Sequence, residues 1–244
     1  MTPTHVLLDI EGTTCPVNFV TETLFQYAKR NLQIFLQENA HVDEIRKLIH
    51  EAWDEWEQDR HPESDAMRRA SIGERDDNNH ESITQYLSLL IEIDRKSTAL
   101  KDLQGKIWKE GYERGEIKTA LSPETVSTLR RWQQQGKKLA VYSSGSVSAQ
   151  KLLYQYTPKG DIRSWFCGWF DTHTGHKKEE VSYRLIAEKL GVPCTDILFI
   201  SDNQAECDAA QAAGCRTLYS LRPGNPEQDP GSHPTITSLS DVCF

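Results

Sequence analysis

The segment His5-Val6-Leu7-Leu8-Asp9-Ile10 is aliphatic on both parities and stops abruptly at Glu11-Gly12-Thr13-Thr14. A strand with one wet face would alternate apolar and polar residues, so this run reads as a strand buried on both faces, which belongs in a parallel sheet covered by helices. Such a sheet needs more strands, joined by crossovers of about a dozen residues or more. They come late in the chain, as Lys138-Leu139-Ala140-Val141-Tyr142, Ile197-Leu198-Phe199-Ile200 and residues 217–221. Between them the sequence predicts helices. Ser122-Pro123 reads as an N-cap followed by a first-turn proline, with Gly136 ending that helix. Further helices are predicted over 147–156, over 182–190 with Gly191 as the stop, and over 205–213 with Gly214 as the stop. Strand and helix alternating at these spacings make an α/β protein with a doubly wound parallel sheet.

The first strand is separated from the others by a long stretch of helical period. Leu24, Tyr27, Ala28, Leu32, Phe35 and Leu36 share one face, as do Val42, Ile45, Leu48, Ile49, Ala52, Trp53 and Trp56. Ile83, Tyr86, Leu87, Leu90 and Ile93 predict a third helix, and Leu103, Ile107 and Trp108 a fourth. The polar stretch 60–80 reads as a surface loop or crossover. The expected organisation is an α/β core from residues 1–17 and 119–244, with an all-helical domain, 18–118, inserted after the first strand. Because the insert leaves and re-enters at the end of that strand, it is expected above the carboxyl edge of the sheet.

Composition removes several function classes. With 28 basic against 36 acidic side chains, a net charge of −8, and no long basic run, there is no footprint for a nucleic-acid backbone. The apolar runs fall well short of the roughly 20 residues that a membrane span needs. The 6 cysteines are scattered with no C-x-x-C pair, which suits reduced thiols in the cytoplasm. The tryptophans at 53, 56 and 108 lie on helical faces and read as packing.

In open α/β sheets the ligand crevice lies outside the carboxyl ends of the strands. The first apolar run ends in Asp9 and Glu11, the second in Ser143 and Ser144, the third in Ser201 and Asp202, with Glu206 and Asp208 beyond. Taken singly, these are ordinary turn or helix-capping residues, and Lys177 an ordinary surface charge. Their arrival at one sheet edge from three strands favours a site. Clustered carboxylates need a cation to stay ionised, and oxygen donors with room for water favour Mg²⁺. Asp9 suits a nucleophile for phosphoryl transfer. Glu11, two residues on, points to the same side and suits acid/base work. Ser143 with the N–H groups of Ser144 and Gly145 suits a phosphate cradle, and Lys177 charge balance on the phosphoryl group.

The ordered set Asp9-x-Glu11-Gly12-Thr13, Ser143 after a hydrophobic strand, Lys177 before the next helix, and Ser201-Asp202-x-x-x-Glu206 resembles the four motifs of the haloacid dehalogenase (HAD) superfamily. Most of its phosphatases carry Asp where this chain has Glu11. That departure fits a narrower family. Asp9-Ile10-Glu11-Gly12-Thr13-Thr14, Asp94-Arg95-Lys96, Leu103-Gln104-Gly105-Lys106-Ile107-Trp108, Tyr142-Ser143-Ser144-Gly145-Ser146, Gly175-His176-Lys177 and Arg222-Pro223-Gly224-Asn225 resemble the enolase-phosphatases of methionine salvage, also called acireductone synthases. The resemblance implies a HAD-like Rossmannoid core with a helical cap. It implies 2,3-diketo-5-methylthiopentyl-1-phosphate as substrate, enolised and then dephosphorylated. It further implies Asp9 and Glu11 as catalytic residues, one Mg²⁺ per subunit on Asp9, Glu11 (through its backbone carbonyl) and Asp202, and substrate phosphate on Ser143, Ser144 and Lys177. No motif marks the base for enolisation. The expected partner is a small phosphorylated metabolite, with neither nucleic acid nor membrane, and the chain is expected to be a cytoplasmic monomer. A HAD phosphatase for another metabolite, a metal-independent dehalogenase and a non-catalytic phosphate-binding protein are the alternatives.

Overall fold

The computed structural model describes residues 2–70, 75, 80–95 and 97–244. The chain divides into two compact units, Met1–Val20 with Lys118–Phe244, and Thr21–Ile117.

The first unit is built on a six-stranded, wholly parallel sheet. Its strands are β1 (His5–Leu8), β2 (Lys138–Tyr142), β3 (Phe166–Phe170), β4 (Ile197–Ser201), β5 (Arg216–Ser220) and β6 (Thr235–Ile236), in the order β3-β2-β1-β4-β5-β6. The unalternating run at the start of the chain thus becomes a central strand between β2 and β4. Leu7, Ala140, Tyr142, Ile197 and Phe199 face one way and pack with Tyr183, Ile186, Cys207 and Ala210. The opposite parity, Val6, Leu8, Leu139, Val141, Leu198 and Ile200, is equally buried, which is why neither face could be polar. The covering helices of this unit are α6 (Thr125–Gln134), α7 (Val147–Gln155), α8 (Glu180–Leu190) and α9 (Gln204–Ala212). Gly191, at φ +71°, closes α8 in the left-handed conformation expected of a helix-ending glycine. The helix predicted from Ser122-Pro123 begins later, at Thr125, because Ser122 instead closes a turn in which its carbonyl accepts from Thr125 N at 2.9 Å.

Two strands escaped the sequence. β3 reads Phe-Cys-Gly-Trp-Phe and lies at the sheet edge with three of its five residues incompletely buried, so it lacks the aliphatic run of a central strand. β6 is only 2 residues long, too short for any period to show.

The second unit contains α1 (Phe25–Asn39), α2 (Asp43–Gln58), α3 (Pro62–Ala70), α4 (Glu81–Glu92) and α5 (Thr98–Glu113), preceded by a π-helical turn, Phe19–Leu24. Helices α1 and α2 each pack on α4 and α5. Rings of Trp53, Trp56 and Tyr86 stack in series with centroids 5.2 and 4.9 Å apart. The Trp56 and Trp108 indoles donate to the Ser64 and Leu24 carbonyls, so both serve packing. Helix α3 corrects the loop expected over 60–80; residues 71–74 and 76–79 of that stretch lie outside the described residues. It is polar nearly all round, with only Ser64 buried, and therefore shows no apolar period. Its signals are electrostatic: Glu63 and Asp65 in the first turn, Arg68 and Arg69 in the last, and Asp65 paired with Arg68 at 2.6 Å and Arg69 at 2.7 Å. No described helix is long and apolar enough to cross a membrane.

Asp94, at φ +48°, ends α4 in the left-handed region, and Arg95 N reaches back to the Leu90 carbonyl at 2.9 Å. That turn presents Arg95 Nη1 to the buried Asp59 Oδ1 at 2.5 Å, where the His61 amide also donates at 2.8 Å. Burial alone would raise the Asp59 pKa, but these hydrogen bonds reverse it and hold the group at about 2. A folded-state value below the unfolded one, about 3.9, stabilises above pH 4, and the gain is lost as pH falls through about 2. With Arg95 partly exposed, the contribution is of order 1–2 kcal/mol. Melting temperatures of wild type and Asp59→Asn are expected to differ at pH 6 and to converge between pH 4 and 2. A constant gap over that range would refute the assignment.

Candidate active site

β1 lies where the sheet order reverses, with β2 on one side and β4 on the other, so a crevice opens beyond the carboxyl ends of these three strands. The ladder runs one residue past β1 and β2, through Asp9 N to the Ile200 carbonyl at 3.0 Å and Ser143 N to the Phe170 carbonyl at 3.2 Å. Those bonds fix the backbones from which the Asp9 and Ser143 side chains leave, both buried. Asp202 follows β4 directly and is buried as well.

Lys177 comes from the loop after β3 and is buried, with Nζ 2.7 Å from Asp9 Oδ1 and 2.6 Å from Glu206 Oε2. Ser201 Oγ lies 3.2 Å from Asp9 Oδ2 and 2.8 Å from Glu206 Oε2. The Ile10 amide donates to Asp9 Oδ1 at 2.8 Å. One face of the Asp9 carboxylate is thereby oriented by a lysine, a hydroxyl and an amide. Glu206 was legible as a carboxylate beyond the third strand and in the last motif, without a role; Asn203 caps α9 by accepting from Glu206 N at 3.2 Å, which sets Glu206 on the first turn facing Lys177.

The charges do not balance. Among the described residues, Asp9, Asp202 and Glu206 face a single ammonium, that of Lys177. Burial would lower the Lys177 pKa, but Asp9 and Glu206 outweigh it and keep the amine protonated. Burial, followed by the Asp9 charge, pushes Asp202 up to about 8 and raises Glu206. Buried, oxygen-only donors in excess of positive charge suit a hard cation. Among the described residues no three His, Cys, Asp or Glu side chains form a ready cage. Asp9 and Asp202 offer one or two carboxylates, a donor set that suits Mg²⁺, which keeps several waters.

Gly12 adopts φ +67°, and a Cβ there would lie 1.9 Å from Asp202 Oδ2; only glycine lets this loop pass so close to the carboxylate. The Gly12 carbonyl accepts from Ser220 Oγ at 2.8 Å and from Asn225 Nδ2 at 3.0 Å. Neither partner was marked by the sequence as part of the site. Glu11 is half-buried, and its charge, after burial, pushes the Cys15 thiol up.

In the segment Ser143-Ser144-Gly145-Ser146, capping of α7 falls to Ser146, whose hydroxyl accepts from Ala149 N at 3.3 Å. Ser143 Oγ accepts from Gly145 N at 3.2 Å. The Gly145 amide, expected to line an anion cradle, is thus engaged by Ser143. His176 is exposed, with Nδ1 accepting from Lys178 N at 3.3 Å.

The profile of haloacid dehalogenase-like hydrolases matches residues 3–214. The chain is 55% identical over 238 residues to the enolase-phosphatase E1 of Synechococcus sp. (strain CC9902), covering 98% of this chain and 97% of the relative. It is 52% identical over 242 residues to the enolase-phosphatase E1 of Parasynechococcus marenigrum, covering 99% and 98%. Among solved structures, the UTR4 protein of Saccharomyces cerevisiae superposes with a TM-score of 0.72 at 33% identity, covering 99% of this chain and all of that one.

Proposed function

The chain belongs to the haloacid dehalogenase-like hydrolases and, within them, to the enolase-phosphatases, and from that membership we infer that it acts in methionine salvage. It converts 2,3-diketo-5-methylthiopentyl-1-phosphate to the acireductone 1,2-dihydroxy-3-keto-5-methylthiopentene and phosphate. The structural observation that carries the phosphatase half is the buried Asp9 carboxylate at the end of the central strand, oriented by Lys177 at 2.7 Å.

An Asp9 oxygen bonds to phosphorus while the bond from phosphorus to the substrate oxygen breaks, leaving an aspartyl phosphate. Glu11 gives a proton to the departing oxygen and then takes one from the water that hydrolyses the acyl phosphate. Lys177, Ser143 and Ser144 bind the non-bridging oxygens, the lysine offsetting charge as it gathers on the phosphoryl group. Asp9, Asp202 and the Glu11 carbonyl would hold one Mg²⁺ per subunit. When bound, the ion neutralises phosphate charge and keeps the neighbouring carboxylates ionised. The helical unit is proposed as the cap that selects the substrate and excludes water during turnover. The proposed setting is a cytoplasmic monomer acting on a small phosphorylated metabolite.

Purified protein given the diketo phosphate is expected to release phosphate and form the acireductone in equal amounts, followed by a phosphate assay and by enediol absorbance. Turnover of common sugar phosphates with none of this substrate would overturn the substrate assignment. Treatment with a chelator is expected to stop the reaction and added Mg²⁺ to restore it. Activity that ignores the chelator would point instead to metal-independent use of Asp9.

A further inference from the structure

Three consecutive carbonyls of the lysine loop each accept a hydrogen bond from a different hydroxyl. Tyr142 Oη, at the end of β2, donates to the Gly175 carbonyl at 2.9 Å. Ser182 Oγ and Tyr183 Oη, in the first turns of α8, donate to the His176 carbonyl at 2.8 Å and the Lys177 carbonyl at 2.7 Å. All three donors are at 0% exposure.

Loop 171–179 has neither helix nor strand, so carbonyls that turn inward find no ladder partner and need side-chain donors. Here each finds a hydroxyl, in sequence, and the His176 carbonyl accepts in addition from Glu179 N at 3.0 Å. Gly175 makes the approach possible: at φ +151°, its Cβ would stand 2.2 Å from Ser182 Oγ. Tyr142 meets the loop twice, through its hydroxyl at Gly175 and through its ring, whose centroid lies 5.9 Å from Lys177 Nζ.

The consequence concerns the lysine's far end. Its side chain is long and flexible, so the ammonium is placed only as well as the backbone it hangs from. Asp9 and Glu206 hold Nζ before substrate arrives. A phosphoryl group would compete for that same ammonium, whereas the hydroxyl contacts to the backbone do not involve Nζ.

We propose that Tyr142, Ser182 and Tyr183 are positioning residues for Lys177, their hydroxyls clamping the 175–177 carbonyls so that the ammonium keeps its place at the phosphoryl group. This rests on the reading of Lys177 as a phosphate-binding residue. The rings of Tyr142 and Tyr183 also pack edge-on, with centroids 5.6 Å apart, so removal of the hydroxyl alone separates clamping from packing.

The test uses Tyr183→Phe, Ser182→Ala and the double variant in the full chain, each studied at a temperature where circular dichroism shows it folded. Should the double variant fail to fold, Tyr183→Phe alone carries the test. Turnover of the diketo phosphate is measured beside amide exchange of residues 175–179. The double variant is expected to exchange about tenfold faster in that loop but not in the sheet, and to lose about tenfold in kcat, the lower end of what supporting-shell changes cost. The KM is expected to move less than kcat. A kcat within twofold of wild type in the folded variants, or loop exchange that rises no more than elsewhere, overturns the proposal. Lys177→Ala is the separate control. Unimpaired turnover there would overturn the role given to Lys177, and the exchange data would still report whether the clamp exists.

Discussion

Asp9→Asn is expected to reduce phosphate release by on the order of 10⁴-fold or more while leaving the fold intact. The change is nearly isosteric, replacing one carboxylate oxygen with an amide nitrogen and removing the negative charge and the nucleophile. The Asp9 carboxylate contacts Lys177 Nζ, Ser201 Oγ and the Ile10 amide. The amide carbonyl that the substitution leaves can still accept from the lysine, and Lys177 keeps Glu206 as its second carboxylate. Loss of a negative charge also relieves Asp202 and Glu206, whose pKa values the Asp9 charge raises in addition to burial. The melting temperature is therefore expected to stay within a few degrees of wild type or to rise. Single-turnover phosphate release and thermal melting check the two halves separately. Near-normal turnover would rule out covalent catalysis by Asp9.

Gly12→Ala is expected to be the most damaging one-carbon addition near the site. Its Cβ would sit 1.9 Å from Asp202 Oδ2, 2.4 Å from Asp202 Cγ and 2.9 Å from Asn225 Nδ2, at a backbone φ of +67°. The loop cannot retreat cheaply, because Ser220 and Asn225 both hold the Gly12 carbonyl. Overpacking and a left-handed alanine together cost about 2–4 kcal/mol, a fall of several degrees in melting temperature for a chain of this size. The larger effect is on activity: Asp202 must swing away, and about 100-fold or more in kcat is expected to go with it. A variant with wild-type melting and turnover would show that the loop adapts freely. Gly136→Ala is the contrasting case, since its Cβ meets nothing within 4 Å and only the φ of +82° penalises it. It is expected to lose stability with little change in kcat.

Much of the sheet could be read without coordinates because its cues are local. A run apolar on both parities, as at Val6 to Leu8, needs helices on both faces, and a polar residue closing such a run must lie at a strand end. Asp9, Ser143 and Asp202 were placed that way. The helices of the inserted unit announced themselves by period, apart from α3, whose only cues are charges at its ends. β3 was missed because an edge strand with incomplete burial shows no such run.

What neighbours each of those residues was a different matter. The sequence alone determined the parallel α/β class, the helical insertion and the polar residues that close the strands, since each follows from short-range patterns of burial and turn chemistry. Only the tertiary structure decided that Lys177 sits between Asp9 and Glu206, that Ser220 and Asn225 hold the Gly12 carbonyl, and that Tyr142, Ser182 and Tyr183 take up the loop carbonyls. These contacts join segments far apart in the chain. They depend on strand order and on the path of irregular loops, which hydrophobic period does not encode. Asp9 could thus be located from the run it terminates, whereas the cation that orients it arrives on a loop whose course is set by hydroxyls on two other elements.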